Sequence, residues 1–236
     1  ELLSSLQGDY RQQYLNILSH TLRGYDFFKG QMLVYEDYIE KTLQELLICN
    51  SEQQTVIKKK TRKVRKNQYS FNLKDYLLGI FGVDLTEVEG LDEINLLTIL
   101  AVTGTNMRKW PTAEHFASWL NLSPRPKISG GKIIGYEARN NHNPATRAFR
   151  LAAHCLWQSK GPMGQQYRRL AATKGSKKAI KAIARKLAVI FYHMVLNKRP
   201  FDATKVQPNL EQQEARKIAR LQKEAAKLGL TIQKAA

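Results

Sequence analysis

The sequence predicts a mainly α-helical protein, with long helices at the N-terminus. A compact helical domain follows, carrying a helix-hairpin-helix-like turn and one small β-hairpin. Three observations carry this. Apolar residues recur at helical spacing over residues 10–47. Glycine-bounded turns separate short apolar helical runs over residues 75–120. Apolar residues then flank the Gly130-Gly131 pair on both sides, which is a hairpin signal.

In chain order, Tyr14, Leu15, Leu18, Leu22 and Tyr25, then Met32, Tyr35, Ile39, Leu43 and Leu46, mark one long amphipathic helix, or two broken near Gly24 or Gly30. Residues 1–50 therefore read as a coiled coil or helical hairpin suited to dimerisation, with an ordinary core helix as the alternative. Residues 51–72 read as a basic linker. Its run Lys58-Lys59-Lys60-Thr61-Arg62-Lys63-Val64-Arg65-Lys66 is either a solvated segment or a phosphate-seeking tether.

Residues 73–200 form the next domain. A short helix over 75–81 is followed by Gly82-Val83-Asp84-Leu85-Thr86-Glu87-Val88-Glu89-Gly90-Leu91 and an apolar helix over 94–102 that stops at Gly104. That layout suggests a helix-hairpin-helix, whose turn amides can hold a DNA phosphate. Asp92 stands where such a hairpin prefers a second glycine, and Glu87, Glu89, Asp92 and Glu93 repel a phosphate. Scaffolding is the competing reading. The next helix, 112–120, has Pro111 at its start, Thr112 or Glu114 in its first turn, and Phe116, Trp119 and Leu120 as its core face.

After the hairpin over 127–136, helices run from Asn143-Pro144 onward. Residues 145–158 place Arg147, Arg150, His154 and Gln158 on one stripe, and Leu151, Ala152, Cys155 and Leu156 on another. Residues 165–173 make a short basic helix. Residues 177–197 set Lys177, Lys178, Lys181 and Arg185 on one face, opposite Ile180, Ile183, Leu187 and Ile190. A charged helix over 211–228 ends the chain within residues 201–236.

Charge narrows the function classes. The chain holds 38 Lys and Arg against 20 Asp and Glu, a net +18, with pI about 9.9. Residues 136–200 alone hold 14 basic side chains against one acid. A polyanionic partner follows, nucleic acid or an anionic membrane surface. No apolar run reaches membrane-spanning length, and there is no basic amphipathic helix with the large exposed aromatics that interface binding favours. Two cysteines, Cys49 and Cys155, suit a reducing cytoplasmic compartment and give no zinc spacing. The chain begins at Glu1 within a helical pattern and reads as a piece of a longer protein.

The available chemistry is sparse. No cluster of Asp and Glu suits Mg²⁺, and the five histidines (His20, His115, His142, His154 and His193) fall in different elements. Phosphate-loop and dinucleotide fingerprints are absent. Lys174-Gly175-Ser176-Lys177 lacks the upstream glycine of such a loop and reads as a helix N-terminus. Ser129, heading Gly130-Gly131, remains. As a triplet it is an ordinary turn. As a nucleophile it would need a base and charge neutralisation. Gly130 and Gly131 allow close backbone approach with amides to donate, and Arg125, Lys127 and Lys132 supply positive charge.

The order of these segments resembles a known family. The Gly82-Val83-Asp84-Leu85-Thr86 and Glu89-Gly90-Leu91 turns, the Trp110-Pro111-Thr112…His115-Phe116-Ala117-Ser118-Trp119-Leu120 block and Lys127-Ile128-Ser129-Gly130-Gly131-Lys132 are similar to the C-terminal half of insertion-sequence transposases of the one-hundred-ten type. These are recombinases related to Piv-type DNA invertases and guided by a bridge RNA. Asn143-Pro144-Ala145-Thr146-Arg147-Ala148, Arg150-Leu151-Ala152-Ala153 and Lys178-Ala179-Ile180…Ala184-Arg185-Lys186-Leu187-Ala188 continue the likeness, and Tyr25-Asp26-Phe27-Phe28 resembles the family's coiled-coil segment.

The resemblance implies that Ser129 attacks a DNA phosphodiester and forms a 5′-phosphoserine intermediate. It also implies that Mg²⁺ is bound by acids of a RuvC-like N-terminal domain that no segment here matches, so that this chain binds no metal and alone cuts nothing. The family often has two serines before the glycines; Ile128 occupies the first position here. DNA, a guide RNA and further copies of the chain are the implied partners, in a prokaryotic, nucleoid-associated setting. Arg139, Arg147, Arg150, Lys177, Lys178, Lys181 and Arg185, with Arg125, Lys127, Gly130, Gly131 and Lys132, are the candidate nucleic-acid contacts. A non-enzymatic DNA- or RNA-binding module is the alternative; it needs only the basic lobe.

Overall fold

A computed structural model describes residues 8, 10–50, 68–137 and 142–202, with separate positions between 215 and 229. The lysine-rich run at 58–66, Arg139 and most of the expected 211–228 helix lie outside the described residues. The chain divides into two compact units, Glu1–Ile80 and Phe81–Ala236. The described residues are mostly helical with one two-stranded hairpin, as the sequence predicts.

In the first unit α1, Gln12–Asn50, is one uninterrupted helix of 39 residues, about 58 Å long at 1.5 Å per residue. Gly24 and Gly30 lie inside it, so the two-helix and helical-hairpin alternatives do not hold. Each glycine costs about 1 kcal/mol relative to alanine, too little to break so long a helix. Only its last third is packed. Leu43 and Leu47 are buried with Phe71, Leu73, Tyr76 and Leu77, the last three on α2, Leu73–Phe81. Tyr76 Oη donates to Glu40 Oε1 at 2.9 Å and accepts from Gln44 Nε2 at 3.1 Å, fixing the register. Farther toward the N-terminus Leu18, Tyr25 and Phe28 are about 60–70% exposed (62%, 59% and 68%). The core-helix reading therefore fails for that part of α1.

In the second unit, caps written in the sequence start three of the helices. Asp92 Oδ1 accepts from the Asn95 amide at 2.7 Å and opens α3, Glu93–Thr103. Thr112 caps α4, Ala113–Trp119. Asn143 Oδ1 accepts from the Ala145 amide at 2.9 Å, with Pro144 in the first turn of α5, Pro144–Cys155. Then come α6, Pro162–Lys174, and α7, Ser176–Asn197. α6 begins earlier than the 165–173 expectation, because Pro162 is tolerated at a first helical position.

Helix α7 is the centre of this unit: α4, α5 and α6 all pack on it, and α3 packs on α5. Phe116, Phe149 and Phe191 are fully buried, with Phe149 and Phe191 edge to face at 5.7 Å. Two long-range hydrogen bonds lock the packing: Thr146 Oγ1 to the Leu120 carbonyl and Tyr192 Oη to the Trp110 carbonyl, both at 2.7 Å. Some expected core positions differ. Ala145, Ala148, Phe149, Ala152 and Ala153 form the buried face of α5, leaving Leu151 and Cys155 exposed. Gln158 lies past the helix end. Trp119 is 42% exposed while Phe116 and Leu120 are fully buried.

Candidate nucleic-acid site

The hairpin consists of β1, Pro126–Ser129, and β2, Lys132–Tyr136, paired antiparallel. Ser129 pairs with Lys132, which leaves Gly130 and Gly131 as a two-residue loop. Both glycines have positive φ, 53° and 73°, as a type I′ turn requires. Nothing lies within 4 Å of where a Cβ on either would sit, so another chain can approach this backbone closely. The ladder extends to the Glu137 amide, which donates to the Arg125 carbonyl at 2.9 Å. The register slips between Lys127 and Ile128, leaving Ile134 without a cross-strand partner.

Because side chains alternate along a strand, Lys127 and Ser129 leave one face of β1, and directly paired Lys132 leaves the same face. Ile128 and its partner Ile133 leave the other. Every residue of both strands except Gly135 is exposed, Ile128 and Ile134 at 65% and 69%. The structure thus brings Ser129, Lys127, Lys132, Gly130 and Gly131 together at a solvent-facing tip, with half-buried Arg125 at its base. Among the described residues nothing hydrogen-bonds to the Ser129 hydroxyl, so no base prepared to take its proton adjoins it.

The remaining basic candidates stand apart from this tip, on helices. Arg147 and Arg150 are exposed on α5, and Lys177, Lys178 and Lys181 are exposed on the first turns of α7. Arg185 differs. It is half-buried and lies near Glu114, whose carboxyl is held below its usual range. The Glu114 amide contributes most to that lowering, followed by Thr112, with smaller contributions from Arg185 and His193.

Two acids of the glycine turn, Glu89 and Asp92, are used internally. Asp92 caps α3, and Glu89 Oε2 accepts the Ser159 hydroxyl at 2.8 Å. The Gly161 amide in turn donates to Ser159 Oγ at 3.1 Å at the start of α6. Gly90, with φ 91°, lies where a Cβ would come within 2.8 Å of the Ala152 carbonyl. This turn is a packing device: a carboxylate already holds the α3 N-terminus where the phosphate-gripping reading needed a free one. An Asp directly before an apolar helical run is a cap signal that finds this role.

Several polar residues were not singled out from sequence. Arg168 Nη1 donates to the Trp157 and Ser159 carbonyls at 3.0 and 2.6 Å. Lys186 Nζ donates to Gln166 Oε1 at 2.6 Å. Burial, and secondarily Arg169, lowers the Lys186 pKa. No local sequence signal marks these pairings, which join separate segments. Among the described residues, no group of three or more His, Cys, Asp or Glu could hold a metal ion, and no helix is long and apolar enough to cross a membrane.

Residues 84–168 match the family model described as Transposase IS116/IS110/IS902 family, a span from Asp84 through the hairpin and α5 into α6. No curated protein matches the chain. The match covers a little over a third of the 236 residues and includes Ser129, so this segment is similar to that transposase family.

Proposed function

We propose that this chain is the serine-bearing part of a DNA transposase, with Ser129 as the nucleophile. The observation that carries the reading is the placement of Ser129 at an exposed type I′ tip, sharing a strand face with Lys127 and Lys132, inside the matched segment. Ser129 Oγ attacks the scissile phosphorus, the P–O3′ bond breaks, and the 5′-phosphate stays on the serine. The hydroxyl proton leaves with the base and the departing 3′-oxygen ends as a 3′-hydroxyl. Lys127, Lys132 and the glycine amides neutralise charge gathering on the phosphoryl oxygens. Strand exchange reverses the step.

The described residues do not fit a Mg²⁺ site, and no step here runs through a metal. Mg²⁺ and the base sit on acids of a RuvC-like domain from outside these 236 residues. A guide RNA lies on the basic surface, and a second copy of the chain packs against the exposed apolar side of α1. Copies brought together in this way would work in the cytoplasm, at the nucleoid.

The test combines the chain, the acid-bearing domain, Mg²⁺, guide RNA and an end-labelled DNA substrate, followed by a denaturing search for a protein–DNA adduct. An adduct mapping to Ser129 and absent from Ser129→Ala supports the reading. An adduct on the Ser129→Ala protein, or strand transfer without any adduct, rejects it in favour of a different nucleophile. Binding with neither adduct nor transfer favours a non-enzymatic DNA- or RNA-binding module.

A further inference from the structure

We propose that Trp157 is a stacking platform for an unpaired base of single-stranded nucleic acid. The inference rests on reading the basic helical lobe as a nucleic-acid surface, and gives that surface a preference for single strands. Trp157 lies just past the end of α5 and is 53% exposed. Among the described residues no ring packs on its indole and no Lys or Arg lies over it. The other tryptophans, Trp110 and Trp119, instead pack together with centroids 5.0 Å apart.

An indole on a mobile loop would carry little meaning, but this backbone is held from three sides. Arg168 on α6 donates to the Trp157 and Ser159 carbonyls at 3.0 and 2.6 Å. The Trp157 amide donates to the His154 carbonyl at 3.3 Å. Two residues on, Ser159 donates to Glu89 Oε2 at 2.8 Å, tying the loop to the turn before α3. A base that stacks here meets a support already ordered, so little conformational entropy is lost on binding.

The surroundings supply the matching charge. Stepping back from Trp157 by three or four residues reaches His154, then Arg150, then Arg147, all exposed. Lys160 is exposed on the other side. Neither α5 nor α6 contains an acid, and Glu89 is already engaged by Ser159. A backbone neutralised along Arg147 and Arg150 leads to the indole, whose face suits any base. Bases within a duplex already stack on one another and offer no free face, which is why the platform selects unpaired ones.

The experiment measures binding of the whole 236-residue chain to three dye-labelled DNAs: a single strand, its duplex, and an abasic strand of equal length. Trp157→Ala should weaken single-strand binding roughly 5- to 150-fold, the effect of one lost stacked base. Duplex and abasic binding should stay within about twofold, and Trp157→Tyr should keep most of the single-strand affinity. Thermal melting of each variant checks the fold. Equal single-strand affinity for wild type and Trp157→Ala overturns the platform while leaving the basic-lobe reading standing. Parallel losses on all three DNAs also overturn it. A wild-type chain that binds none of them rejects the basic-lobe reading, and the platform with it.

Discussion

The Glu89 carboxylate accepts the Ser159 hydroxyl at 2.8 Å, joining the turn before α3 to the loop before α6. Gly161 makes the contact possible, because a Cβ there would fall inside that carboxylate. Ser159 Oγ also accepts the Gly161 amide at 3.1 Å, so the acid lies beside the positive end of α6. Gly161→Ala must push Glu89 out, and should cost about 1–3 kcal/mol with a lower Tm. Glu89→Gln, which keeps an acceptor oxygen, should cost less. Denaturant titration of the two variants side by side checks the order, and equal stability of Gly161→Ala and wild type would reject it.

How far this arrangement was legible in the sequence depends on the range of the signal. Thr112, Asn143-Pro144 and Gly130-Gly131 act within three or four residues of themselves, and each sits where its local chemistry predicts. Ser159 and Glu89 are 70 residues apart, and nothing local in either segment announces the other. The same limit explains α5. Helical period alone could not say which side of Leu151 and Cys155 faces the core, because α7 decides that by accepting the alanine-rich face. At the candidate site, the serine, lysines and glycines were readable as neighbours. Their common strand face depended on register, and so did the unpaired Ile134.

The hairpin tip gives a second prediction. Gly130 and Gly131 both take positive φ, with open space around each. A substitution there is therefore judged by backbone conformation alone. Gly130→Asn should be nearly neutral, since asparagine tolerates this region, whereas Gly131→Val should cost about 1–2 kcal/mol locally. Because the strands are exposed, the loss should appear as disorder of residues 126–136 with the global Tm almost unchanged. Amide exchange resolves it; a Gly131→Val hairpin as protected as wild type would contradict the turn assignment.

Lys186 gives a pH prediction. Its folded pKa lies below the ordinary 10.5, chiefly through burial and secondarily through Arg169. Between the lowered folded value and 10.5, the unfolded chain binds more protons at this position, so stability rises with pH there. Below that window the charged form is held at a cost, partly offset by the hydrogen bond to Gln166. Lys186→Met removes the titration. The stability difference should therefore move in favour of wild type as pH climbs toward 10.5. A pH-independent difference would show that Lys186 is solvated like a surface lysine.

Lys127 and Lys132 give the last prediction, because they share the strand face of Ser129 and pair with no acid among the described residues. If both neutralise phosphates, each releases counterions on binding, and log affinity falls with log salt by about 0.9 per duplex phosphate contact. Lys127→Gln and Lys132→Gln should each flatten that slope by about 0.9, and the double variant by about twice that. Ser129→Ala should leave the slope unchanged, since the hydroxyl carries no charge. Such a result would separate the electrostatic work of the hairpin from the chemistry proposed for its serine. An unchanged slope in the double variant would place the phosphate backbone on the helical lobe alone.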